Sequence, residues 1–146
     1  MNKELIGPNL SFFDLSSRES LFFPEDALEG LLVNEKWLSS KFFYDQNGSD
    51  LFQKITELPE YYLTKAEIEI LDDSLDEIRE LAGQDSALIE FGSGPSLKSR
   101  MLLKAINPSI YTPLDISKSY LIETAKRLAS EFSSVEIKAI CVDYTR

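Results

Sequence analysis

The spacing of apolar positions changes character near residue 86. Before that point the pattern is helical. Ile68, Leu71, Leu75, Ile78 and Ala82 recur at helical spacing, with Asp72, Asp73, Asp76, Glu77 and Glu80 on the other side, which predicts one amphipathic helix. Thr64 and Glu67 form a capping-box pattern ahead of it, and Gly83 is a natural stop. EDALEGLL after Pro24 predicts a short helix, and DLFQKIT another that ends before Pro59, with Asn47-Gly48 as a turn signal between them. After residue 86, short apolar runs alternate with helical stretches. ALIEF is a strand, SLKSRMLLKAI a helix ending near Asn107-Pro108, and IYTPLD a second strand. A helix that Ser117 can cap follows, to about Glu131, and VEIKAICVD is a third strand. Strand, helix, strand, helix, strand is the first half of a doubly wound parallel α/β sheet. Residues 1–24 read as an irregular arm, broken by Gly7, Pro8 and Pro24, with a polar patch at 16–20. Phe12, Phe13, Phe22 and Phe23 are too many aromatics for a free tail, so the arm is expected to pack on the rest. The chain thus divides into an arm (1–24), a helical region (25–85) and a Rossmann-type portion (86–146).

Charge and composition narrow what this fold can do. The net charge of −10 is unevenly spread: residues 1–91 hold 20 acids and 7 bases, residues 92–146 hold 5 acids and 8 bases. An acidic chain without a basic aromatic face is a poor nucleic-acid binder, because phosphate contacts dominate that affinity. No stretch approaches the roughly 20 apolar residues of a membrane helix, and the N-terminus lacks the pattern of a signal peptide. With Cys141 as the single cysteine, these features predict a cytoplasmic protein with no membrane segment. The absence of histidine excludes a Ser-His-Asp triad and a Cys-His pair within this chain, and with one cysteine it argues against structural zinc. Catalysis would rest on a cofactor, carboxylates, tyrosines or positioning.

The candidate chemistry lies at the strand ends. A strand running into Gly92-Ser93-Gly94 at a helix start leaves bare backbone beside any ligand. Alone, that pattern fits a ligand-free turn equally well. Asp115, 21 residues past Gly94, falls at the tip of the second strand, where an acid can accept both ribose hydroxyls of an adenosine; its other role is to cap the next helix. A dinucleotide fingerprint wants a third glycine where Leu97 stands, and Pro95 interrupts the loop. A pyrophosphate also prefers free N–H groups at the helix start. The pattern therefore leans away from NAD towards S-adenosylmethionine, which carries no phosphate. At the tip of the third strand, Asp143 can accept from an adenine amino group while Tyr144 covers the ring.

The segment KWLSSKFFYDQNGSDLFQKITELPEYYLTKAEIEIL, with IEFGSGPSLKSRMLL and TPLDIS, resembles the L-histidine Nα-methyltransferases of ergothioneine biosynthesis, a family with relatives that act on prenylated tryptophan. The likeness covers about residues 25–144. It implies a class I methyltransferase fold and S-adenosylmethionine as cofactor, used to methylate the α-amino group of histidine. It further implies that Gly92 and Lys98 line the methionine end, with Lys98 suited to the carboxylate. Asp115 would hold the ribose, and Asp143 and Tyr144 the adenine. Tyr61 would meet the substrate, and Tyr44 would stand where cofactor and substrate join. Read from the residues alone, both tyrosines fit plain packing roles. Glu90-Phe91 stands where the family usually has Glu-Leu, and residues 1–24 match no family pattern.

The expected reaction is methyl transfer to a neutral amine, with the proton acceptor unassigned. Family members are about twice this length. The first strand is central in the complete fold, so a chain stopping after the third strand is expected to expose an apolar edge open to self-association. The alternatives are a relative acting on another amino acid, such as a tryptophan derivative, or a truncated, non-catalytic partner protein.

Overall fold

The computed structural model describes residues 2–15, 24–94 and 97–144. Pro95, Phe22, Phe23 and the polar patch at 16–20 lie outside them. In chain order the elements are β1 (Asn2–Gly7), β2 (Leu10–Asp14), α1 (Pro24–Leu32), a 3-10 turn (Ser40–Phe43), α2 (Gln46–Thr56), α3 (Leu63–Ala82), β3 (Ala87–Phe91), α4 (Leu97–Ile106), β4 (Ile110–Asp115), α5 (Lys118–Glu131) and β5 (Glu136–Cys141).

The strands form one sheet in the order β1-β2-β5-β4-β3. β3, β4, β5 and β2 run parallel, and β1 turns back antiparallel on β2. This corrects the reading of residues 1–24 as irregular. Gly7 and Pro8 do break the chain, but as the turn of a hairpin whose second strand pairs Leu10–Asp14 with Ile137–Cys141. Asn9 fastens the turn: its side-chain amide donates to the carbonyls of Ala129, Phe132 and Val135 at the end of α5. Phe12 is buried, as expected of an arm that packs. The hairpin escaped the pattern because strict alternation is blurred where Ser11, Phe12 and Phe13 are all at least half-buried.

Alternation decides which side chains make the core. Leu10 and Phe12 of β2, Tyr111 of β4, and Ile137, Ala139 and Cys141 of β5 are buried against Leu103 of α4 and Leu121, Ala125, Leu128 and Ala129 of α5. Helices α4 and α5 therefore share one face of the sheet, joined across their surface by Arg100 and Glu131 at 2.7 Å. Ile89 and Phe91 of β3 remain 57% and 64% exposed, and the outer edge of β3 has no partner strand among the described residues.

Helix ends follow their sequence signals in part. Gly83 closes α3 at φ +71°, with its N–H on the Arg79 carbonyl. Asn107 closes α4 in the left-handed region. The capping box at Thr64 and Glu67 does not form. The helix starts after Tyr62 with no side-chain cap, and Glu67 is taken by Lys98, 2.7 Å away. Nor is Asn47-Gly48 a turn: both lie in the first turn of α2, where Asp45 caps the helix by accepting from the Gly48 N–H at 2.7 Å.

Candidate functional site

One cavity of about 430 Å³ opens at the carboxyl ends of the parallel strands. Its floor comes from strand tips and the loops after them: Phe91, Gly92 and Gly94, then Asp115, Ile116 and Tyr120, then Val142, Asp143 and Tyr144. Its roof comes from the helical region: Ser39, Ser40 and Tyr44 around the 3-10 turn, and Ser49, Phe52 and Gln53 of α2. A volume in the range of about 300–1,000 Å³, apolar walls and a few convergent polar groups are the ordinary attributes of a small-molecule site.

Gly92 is required by its conformation and by its neighbour. It sits at φ +68°, and a Cβ there would lie 2.8 Å from the Tyr144 hydroxyl. Its N–H donates to the Leu114 carbonyl at 2.8 Å, fastening the glycine turn to β4. Phe91 meets the Tyr144 ring edge-on at 5.5 Å, so β3 and the chain after β5 close over the same floor. Gly48 makes a different kind of room. A Cβ there would lie 1.6 Å from the Phe43 carbonyl oxygen, so only glycine lets α2 start hard against the 3-10 turn. That contact brings Tyr44 and Ser49 to the same wall.

Asp115 points into the cavity from the end of β4 and also orders its own turn. Its Oδ1 accepts from the Ser117 N–H at 2.9 Å, and N–H groups of Gly94 and Ile116 bond to the carboxylate. The capping role and the site role are thus held together. Burial pushes its carboxyl up from the usual carboxylate range, and these N–H donors pull part of the way back. Behind the glycine turn, Glu90 accepts from Ser99 Oγ at 2.7 Å and from the Tyr111 hydroxyl, knitting β3, β4 and α4. Burial raises the Glu90 carboxyl too.

The candidate residues divide three ways. Tyr44, Gly92, Gly94, Asp115, Asp143 and Tyr144 line the one cavity. Ser93, between two of the lining glycines, is itself buried at 5% exposure and is not in the lining. Lys98 and Tyr61 are not among its lining. The Lys98 ammonium is held on Glu67, beside a second cleft between α3 and α4. Tyr61 stands one residue back, its ring edge-on to Phe52 at 6.0 Å. Ser39, Ser40, Ser49, Phe52, Gln53, Phe91, Ile116, Tyr120 and Val142 were not foreseen. Ile116 and Tyr120 could have been found from the start of α5 immediately after Asp115. Those of the roof had no signal beyond lying near FFYD and NGS.

The sequence pattern of the histidine-specific, S-adenosylmethionine-dependent methyltransferases matches residues 23–146. The chain belongs to that family. Histidine N-alpha-methyltransferase of Mycobacterium tuberculosis is 44% identical over 82% of this chain, which covers 38% of that protein. Ergothioneine biosynthesis protein 1 of Schizosaccharomyces pombe is 30% identical over 91% of the chain and 18% of its own length. 4-Dimethylallyltryptophan N-methyltransferase of Claviceps purpurea is 30% identical over 84% of the chain and 37% of its own length. The chain thus spans under two-fifths of each of these relatives. Among the described residues no helix is long and apolar enough to cross a membrane.

Proposed function

We propose that this chain is the cofactor-binding portion of a cytoplasmic S-adenosylmethionine-dependent N-methyltransferase acting on the α-amino group of histidine. The observation that carries the reading is the convergence of Gly92, Gly94, Asp115, Asp143, Tyr144 and Tyr44 on one cavity. The residues suit the cofactor: bare glycine backbone for close approach, two acids to accept from ribose and adenine, and an aromatic ring for the purine face. Identity of 44% to a histidine enzyme against 30% to a tryptophan-derivative enzyme favours histidine as substrate. The single cysteine, Cys141, is buried and forms no disulfide within the chain, which fits a reducing compartment.

In this reading residues 86–146 are the first half of a Rossmann-type, doubly wound sheet and form the floor, residues 25–85 form the roof, and residues 2–14 brace the sheet. Bound S-adenosylmethionine supplies the electrophilic methyl group. The chain's residues hold and orient: Gly92, Ser93 and Gly94 pass beneath the amino-acid tail, Asp115 takes the ribose hydroxyls, and Asp143 and Tyr144 take the adenine. Lys98 leaves Glu67 for the cofactor carboxylate. Tyr44 and, through Phe52, Tyr61 face the amino-acid substrate. Alignment of this kind can lower a bimolecular barrier by several kcal/mol.

Calorimetric titration of the 146-residue chain with S-adenosylhomocysteine tests the reading. One saturable site is expected, and the absence of any binding heat would favour a non-catalytic partner protein. The bare edge of β3, with Ile89 and Phe91 exposed beside it, is a template for pairing with another strand. We expect concentration-dependent self-association of the isolated chain in sedimentation velocity. A single monomeric boundary at high concentration would count against it.

A further inference from the structure

An adenosyl group carries two kinds of polar atom. Its ribose hydroxyls and exocyclic amine donate hydrogen bonds, while its purine ring nitrogens and ribose ring oxygen can only accept. The acids at the strand tips, Asp115 and Asp143, are acceptors when ionised and answer only the first kind. Three backbone donors on that side are engaged. The Gly92 N–H is on the Leu114 carbonyl, the Val142 N–H on the Asp115 carbonyl, and the Gly94 N–H on the Asp115 carboxylate. Phe91, Ile116 and Val142 bring no side-chain donor, and the Tyr144 hydroxyl lies over Gly92.

Tyr120 remains. It projects from the first turn of α5, three residues after Ser117, and lines the cavity on the same wall as Asp115 and Ile116. It is half-buried, and its hydroxyl makes no hydrogen bond to another described residue. The charges acting on it are Arg127 and Glu123 of its own helix, Asp115 below, and Asp50 of α2 above. Burial, ahead of those charges, holds the phenol above its ordinary range, so it stays a donor through neutral pH.

Resting on the function proposed above, we propose that Tyr120 is a further cofactor-contacting residue, its hydroxyl donating to an acceptor atom of the adenosyl group that the strand-tip acids cannot serve.

The test is calorimetric affinity for S-adenosylhomocysteine in the 146-residue chain, with Tyr120→Phe, Tyr120→Ala and Asp115→Asn beside the parent. Tyr120→Phe keeps the ring and removes only the donor, so it should weaken binding about three- to tenfold with the ligand-free melting temperature unchanged, as for loss of one neutral hydrogen bond. Tyr120→Ala should weaken it further. Tyr120→Phe binding within twofold of the parent overturns the inference, as does a drop in ligand-free melting temperature that accounts for the weakening. If the parent itself does not bind, or Asp115→Asn binds as tightly as the parent, the function proposed above fails and takes this inference with it. That result is distinct from a parent that binds and a Tyr120→Phe variant that matches it.

Discussion

Asp115→Ala is expected to weaken S-adenosylhomocysteine binding by about a hundredfold or more. A buried carboxylate accepting two ribose hydroxyls makes two hydrogen bonds to a charged group, each contributing about 1.5–3 kcal/mol. Every 1.4 kcal/mol is a factor of about ten. Alanine also strands the N–H groups of Ser117, Gly94 and Ile116 that the carboxylate now satisfies, so the turn between β4 and α5 loosens and the cavity floor with it. Asp115→Asn, which keeps one acceptor oxygen, should fall between alanine and the parent. A loss of less than fivefold for alanine would mean that the ribose is not held here.

The same residue sets a pH dependence whose two parts have opposite sign. Burial raises the Asp115 carboxyl above its unfolded value, so the folded chain binds its proton more readily than the unfolded chain does. Its effect on the ligand-free fold is therefore most favourable at low pH and is lost as pH rises through the folded pKa. Cofactor binding needs the ionised acceptor and weakens as pH falls through that same pKa, earlier than it would for an ordinary carboxylate. Compared with Asp115→Asn, the parent should gain stability and lose affinity together on acidification. Parallel changes in both quantities would contradict the assignment.

The sequence read the site better where local rules and tertiary context agree. The βαβαβ stretch needed only period and punctuation: strands at 87–91, 110–115 and 136–141 lie where alternating apolar runs put them. Asp115 and the glycines then had to share one end of the sheet, because parallel strands put their tips together. The hairpin was hidden because its pairing partner lies over 120 residues away, and a five-residue strand has no signature strong enough to announce it. Asn47-Gly48 misled for a related reason. Its turn propensity is local, while the Asp45 cap and the close approach to Phe43 that draw it into α2 belong to the assembled roof. Glu67 likewise carried a capping-box signal that lost to an ion pair with Lys98, 31 residues on. At Lys98 the structure and the family likeness pull apart. A lysine chain that is 41% exposed can exchange one carboxylate for another without disturbing the helix it stands on.

The second large effect lies in the core, outside the lining of the cavity. Phe12→Ala should destabilise the chain by about 3–5 kcal/mol, the usual range for emptying a buried phenylalanine site. Against a total stability of roughly 5–15 kcal/mol this is a large share. The ring is 2% exposed, set in the core that β2 shares with β5 and α5. The Lys118 ammonium sits 5.5 Å from its centroid while reaching Asp14 at 2.7 Å. Leu15 then donates its N–H to the Cys141 carbonyl at 2.9 Å, so the hairpin is fastened to the start of α5 and the end of β5, the two segments that flank Asp115 and Asp143. If the hairpin belongs to the same cooperative unit, urea unfolding of the variant will remain one transition at a lower midpoint. Leu5→Ala, at a residue 71% exposed on β1, will stay close to the parent. A variant that keeps the parent's midpoint and loses only amide protection in residues 2–14 would instead make the hairpin an appendage, with the sheet from β3 to β5 standing without it.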